Sequence, residues 1–214
     1  MARLEFWHEF ASTYSYLAAM RIEDVARGSG VEVVWRPFLL GPIFVKQGWT
    51  SSPFNLYPAK GRHMWRDMAR RAAQRGLPLV QPEPFPQNSL TAARLMLAGL
   101  EADWGPRFAR LVYLAEFGQG LDISEDGILG PLVAEARGDP QAAMLRARSD
   151  EIKARLRDAT AEAEAKGIFG APSFVVGDEL FWGDDRLEDA IEWARGTHPM
   201  QLSAGKAESA AIGS

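Results

Sequence analysis

Residues 3–40 read RLEFWHEFASTYSYLAAMRIEDVARGSGVEVVWRPFLL. Leu4, Phe6, His8 and Phe10 alternate with Arg3, Glu5, Trp7 and Glu9, the period-2 pattern of a strand. From Ser15 to Arg27, Leu17, Met20, Ile22 and Val25 recur near helical spacing, and Gly28 or Gly30 offers a stop. Val31 to Leu40 is β-branched and aromatic, with Pro37 pushing its end toward an edge or a bend. Strand, helix, strand in this order implies a parallel pair joined by a crossover helix.

Beyond residue 40 the character changes. Gly41–Pro58 is rich in Gly, Pro and Ser and reads as an irregular loop. From Lys60 to Lys166 the pattern is helical, with helices expected over Gly61–Arg75, Ser89–Ala102, Pro106–Phe117, Ser124–Ala136, Pro140–Ala147 and Ser149–Lys166. Sheet pattern then returns. Ser173–Val176, the Gly177-Asp178 turn and Glu179–Trp182 read as a hairpin, and Asp184 or Asp185 can cap a last helix running to Arg195. With the helical block set aside, βαβ…ββα is the core order of the thioredoxin fold. The expected fold class is therefore α/β, thioredoxin-like with a large all-helical insertion. Residues 1–40 and 167–196 form the discontinuous thioredoxin-like domain, 41–166 the connecting loop and helical insertion, and 197–214 a disordered tail.

Composition excludes several functions. The 214 residues include no cysteine, so a Cys nucleophile, a CxxC redox pair and a Cys-ligated metal are ruled out. Only three scattered histidines, His8, His63 and His198, are present, and no metal site is expected. With 24 Lys+Arg against 28 Asp+Glu, the net charge of -4 argues against nucleic-acid binding. The N-terminus lacks the apolar run of a signal peptide, and the greasiest stretch, Leu90–Leu100, carries Arg94 and is far short of the ~20 residues of a membrane span. A cytoplasmic protein without membrane contact is expected.

Three segments carry candidate chemistry. In Glu9–Leu17 the first strand turns into the first helix, and Ser12 either caps that helix or offers its hydroxyl to an anion or thiolate there. In Ile168–Val176, Pro172 opens a strand after a helix. It is either an ordinary trans proline or a cis proline that leaves the Ala171 backbone free to pair with an extended peptide. In Phe181–Leu187, Asp184 and Asp185 either cap a helix or accept hydrogen bonds from an ammonium group.

Together with two middle segments these motifs resemble a known family. EFASTYSYLA (9–18), PAKGRHMWRD (58–67), FPQNSL (85–90), GAPSF (170–174) and FWGDDRL (181–187) resemble the 2-hydroxychromene-2-carboxylate isomerases and the related kappa-class glutathione transferases, within the DsbA-like thioredoxin superfamily. The resemblance spans nearly all of residues 3–196. It implies glutathione as cofactor, with Ser12 in place of a redox cysteine and holding the glutathione thiolate as the catalytic residue. It further implies that Ala171 pairs with the cysteinyl unit beside cis-Pro172, that Asp184 and Asp185 receive the γ-glutamyl group, and that Asn55 reaches the glutathione region. The family often has Pro after its serine, where this chain has Thr13.

The implied reaction interconverts 2-hydroxychromene-2-carboxylate and trans-o-hydroxybenzylidenepyruvate. A thiolate adds to the conjugated bond of the ring-opened substrate, the resulting single bond rotates, and elimination returns the thiol. The alternatives are a kappa-like transferase that keeps the sulfur in its product, and a non-catalytic glutathione-binding module. For the aromatic carboxylate substrate, the stretch Lys60–Arg75 supplies six Lys/Arg against one acid, Asp67. Lys60, Trp65 and Trp182 are the expected substrate-side residues. Relatives of this kind are commonly homodimers, which is the expectation here.

Overall fold

The computed structural model describes residues 1–203. Strand β1 (Ala2–His8) lies at the interior of a four-stranded sheet. On one side it pairs in parallel with β2 (Val31–Pro37) and on the other it runs antiparallel to β3 (Ser173–Val176), with β4 (Glu179–Trp182) completing the hairpin. Phe6 stands opposite Trp35 on β2 and Phe174 on β3, ring centroids 4.9 Å and 5.6 Å away. The other face is buried too, because Trp7 packs with Phe38, Ile43, Ile168 and Val175. A strand covered on both faces gains burial from every residue, which is why a buried Trp7 sits among the polar positions of the alternation.

Most of the rest is helical: α1 (Thr13–Ala19), α2 (Ile22–Ser29), α3 (Leu40–Lys46), α4 (Pro53–Leu56), α5 (Pro58–Gln74), α6 (Leu90–Leu100), α7 (Gly105–Tyr113), α8 (Asp126–Glu135), α9 (Pro140–Ala147), α10 (Asp150–Ala165) and α11 (Leu187–Ala194). A π-helical turn over Leu114–Gly118 extends α7, and a 3₁₀ turn over Asp184–Arg186 precedes α11. One apolar cluster runs from Phe6 and Leu17 through Phe108 to Leu129 and Ile152, joining the sheet to the helical block.

Four expectations need correction. The first helix is two, because the chain turns at Met20 and Arg21, and the Arg21 guanidinium is drawn to Asp184 and Glu188. The segment read as an irregular loop holds α3 and α4. Two of its prolines start helices: Pro53 follows Ser52, whose hydroxyl accepts from the Phe54 N–H, and Pro58 opens α5. Among the described residues no side chain caps α11, and Asp184 is engaged by Arg75. Within the tail, residues 199–203 are helical: His198 packs on Trp193, ring centroids 5.2 Å apart, and Gln201 donates to the Trp193 carbonyl. The remainder of the tail, 204–214, lies outside the described residues.

Candidate active site

The register of β1 and β3 builds the site. Trp7 pairs with Ser173, so the chain leaving β1 and the chain entering β3 emerge at one end of the sheet. Five residues after Trp7, Ser12 holds an extended conformation, and its Oγ accepts from the Ser15 N–H at 3.2 Å. Ser12 is thus the α1 cap, but its hydroxyl does more: it donates to the Ala171 carbonyl at 2.8 Å. The Ala171–Pro172 peptide bond is cis. The turn around it is held by the Ser173 hydroxyl, which donates to the Gly170 carbonyl at 2.9 Å, and by the Gly183 N–H, which donates to the Pro172 carbonyl at 3.0 Å. Among the described residues the Ala171 N–H has no partner.

Gly170 leaves room for the Trp182 indole. A Cβ there would lie 2.4 Å from Trp182 Nε1. Trp182 is 53% exposed and packs edge-on against Phe169. A cavity of about 1250 Å³ opens beside this group. Ser12, Ala171, Trp182, Asp185 and Lys60 line it, and Phe44, Trp49, Phe54 and Phe85 add apolar lining.

Not every expected residue enters the cavity in the same way. Asp184 reaches its edge but is 1% exposed, and its carboxylate accepts from Arg21 Nε at 3.3 Å and from Arg75 at 2.7 Å. Asp185 is half exposed, with Arg186 3.4 Å away. Pro172 is buried behind Ala171. Asn55 and Trp65 do not line the cavity: Asn55 donates to the Phe85 carbonyl at 3.0 Å, and Trp65 packs edge-on against the Phe85 ring, so both shape the wall from behind. Of the basic α5 face, Arg62, Arg66 and Arg70 are exposed to solvent, while Arg71 reaches the cavity. Arg71 is held by Asp67, which also accepts from the Tyr14 hydroxyl at 3.0 Å. Burial alone would raise the Asp67 pKa, but the hydrogen bonds from Arg71 and Tyr14 outweigh it and hold the carboxyl below its ordinary value.

A DSBA-like thioredoxin domain model matches residues 3–192. The chain belongs to that family. It is 29% identical over 185 residues to the 2-hydroxychromene-2-carboxylate isomerase of Sphingobium xenophagum, covering 86% of this chain and 94% of that one. The solved structure of a 2-hydroxychromene-2-carboxylate isomerase superposes with a TM-score of 0.81 at 25% identity, covering 96% of this chain and 98% of its own. A cytosolic disulfide reductase from Pseudomonas aeruginosa, DsbM, solved with glutathione, superposes at 0.64 with 16% identity over 90% of this chain and 96% of that one, a likeness of fold alone. The chain thus shares its fold with these isomerases and with a disulfide reductase, and its lack of cysteine sets it apart from disulfide chemistry.

The sequence reading missed Glu9 and Ser89, which also line the cavity. The alternation made Glu9 the exposed partner of Phe10. In fact β1 ends at His8, and Glu9 turns inward, 7% exposed, with its carboxyl accepting from the Ser89 hydroxyl. Burial lifts its pKa to about 7, against the opposing pull of the Ser89 hydroxyl and the Ala11 N–H.

Proposed function

We propose that this DsbA-like protein is a glutathione-dependent isomerase interconverting 2-hydroxychromene-2-carboxylate and trans-o-hydroxybenzylidenepyruvate. The observation that carries the reading is the meeting of the Ser12 hydroxyl with the Ala171 backbone in the wall of a largely apolar cavity. Isomerases of that name are the relatives that support it.

Each part of glutathione has a chemical counterpart. The free N–H and the carbonyl of Ala171 suit a short antiparallel pairing with the cysteinyl unit, which places sulfur next to Ser12. The hydroxyl proton then turns from the Ala171 carbonyl to the sulfur, while Oγ keeps the Ser15 N–H as donor. A bond from O–H to sulfur favours the charged form, so the thiol pKa falls from its free value of about 8.5. Asp185 accepts from the γ-glutamyl ammonium. Asp184 acts there through the arginines it fixes, and Asn55 through the Phe85 wall it supports.

The thiolate attacks the β-carbon of the ring-opened enone, forming a C–S bond while the π pair moves toward the ketone oxygen. The former double bond is now single and rotates. Reversal re-forms it and releases the thiolate, so glutathione is regenerated. Lys60 at the cavity wall pairs with the substrate carboxylate, and Trp182 covers its ring. The helical segment 41–166 supplies most of the substrate half of the cavity.

The test is to incubate the protein with 2-hydroxychromene-2-carboxylate and catalytic glutathione while following both. Product formation with glutathione undiminished is expected. Stoichiometric loss of glutathione would show a kappa-like transferase, and binding without turnover a non-catalytic module.

A further inference from the structure

Glu9 and Ser12 share one turn of chain: the Ser12 N–H donates to the Glu9 carbonyl at 3.1 Å. The Glu9 side chain lies in the wall of the same cavity, nearly withdrawn from water, with Ser89 as its one side-chain partner among the described residues. No cation faces it. From the end of β1 comes His8, which burial keeps neutral by lowering its pKa to about 3. From α7 comes Tyr113, whose hydroxyl donates to the Glu9 carbonyl at 3.1 Å. From the π-helical turn comes Glu116, fully buried, with neither carboxylate oxygen partnered. From the segment ahead of α6 comes Ser89. A carboxyl group in such surroundings keeps its proton, because the anion would be desolvated beside a second acid and without a counter-charge.

We infer that Glu9 is the proton donor and acceptor of the site, supplying the proton that neutralises the ketone oxygen when sulfur adds to the substrate. This rests on the isomerase reading. The thiolate pair becomes the C–S bond, and the displaced π pair arrives on the ketone oxygen. That oxygen takes the Glu9 proton, giving a neutral enol and a Glu9 carboxylate. After rotation the enol proton returns to Glu9, the carbon–carbon double bond re-forms, and the sulfur leaves as thiolate. No atom or electron is gained or lost over the cycle. Without the acid, an enolate charge would develop against an apolar wall. Proton transfer from a positioned side chain typically contributes about 10²–10⁴-fold. The raised Glu9 pKa, about 7, matches a group that must both give and retake a proton near neutrality.

Glu9→Gln keeps the shape and an acceptor for Ser89 but has no transferable proton. Its kcat is expected to fall about 100-fold. Its calorimetric affinity for glutathione should stay within about twofold of the parent's. The fall in parent activity as pH rises through about 7 should be missing from the variant. Ser89→Ala removes a bond that favours the ionised carboxyl, so it should move that fall to higher pH. A Glu9→Gln enzyme within about threefold of parent kcat would overturn the proposal, as would an unmoved pH limb in both variants; thermal unfolding of each variant separates chemistry from folding. Should the parent bind glutathione without turning over, the isomerase reading itself fails, and infrared spectroscopy then interrogates Glu9 directly. A protonated-carboxyl band at about pH 6 that vanishes by about pH 9 and is missing from Glu9→Gln is expected. Its absence overturns the assignment independently of any substrate.

Discussion

Ser12 and Ala171, 159 positions apart in the chain, meet through a 2.8 Å hydrogen bond from hydroxyl to carbonyl. The contact follows from the antiparallel register of β1 and β3, which brings the turn after one strand against the turn before the other. A hydroxyl held in this way is already beside the backbone that would pair with a bound peptide. In the proposed complex, binding would need only a rotation of the O–H, leaving little conformational entropy to be lost there.

Replacing Ser12 by Ala removes that hydroxyl and the α1 cap together. A hydrogen bond to a charged sulfur is worth roughly 1.5–3 kcal/mol, so the glutathione-dependent rate should fall at least ~10-fold. The lost cap should cost about 1 kcal/mol of stability. Steady-state kinetics and thermal unfolding measure the two effects separately, and an unchanged rate removes Ser12 from the mechanism.

Asp184 and Asp185 are adjacent in sequence but differ in burden. Asp184→Asn leaves Arg21 and Arg75 without their buried anion and should destabilise the fold by about 3 kcal/mol, the low end for a broken buried pair because both arginines are partly exposed. Asp185→Asn should leave the unfolding temperature unchanged and weaken glutathione binding about tenfold. Denaturation and calorimetry on both variants check this; the reverse assignment of effects would refute it.

Gly170→Ala forces its new methyl into Trp182, which, being largely exposed, can swing away at little cost to stability. Substrate affinity should fall because the indole no longer covers the cavity mouth. The decisive comparison is a double-mutant cycle: in a Trp182→Ala background, Gly170→Ala should change KM by less than about twofold, since the clash is gone. An equal loss in both backgrounds would locate the effect in the cis-proline turn.

Glu116 carries a pH signature. Burial holds its carboxyl well above the ordinary value, so above about pH 4.5 the folded chain keeps a proton that the unfolded chain has released. Stability from this group is therefore complete at low pH and declines as pH rises toward the folded pKa. Glu116→Gln cannot lose that proton, and its stability relative to the parent should increase between about pH 5 and pH 8. Denaturant midpoints at the two pH values test it; a constant difference would contradict it.

Much of this was legible in the sequence, for identifiable reasons. The period-2 run of β1, the Gly177-Asp178 hairpin and the return to sheet after a long helical block are local patterns, and the sheet follows from them. The prolines of 42–58 misled because a proline that stops one helix can equally begin another, and only the neighbouring cap, Ser52 for α4, tells which. The division between α1 and α2 depends on Arg21 reaching Asp184, 163 positions away, which no local spacing records. Likewise the charge of Asp184 was visible in the sequence and its two arginine partners were not. Glu9 was hidden by a strand ending two residues earlier than its alternation suggests.

The central claim is that Ser12 steadies a glutathione thiolate, and ultraviolet absorbance of the bound thiolate measures this without reference to any substrate. Titrating glutathione on the parent protein should give a thiol pKa well below the free value of about 8.5, returning most of the way toward it in Ser12→Ala. A bound thiol that titrates at the same pH in both proteins would contradict the account.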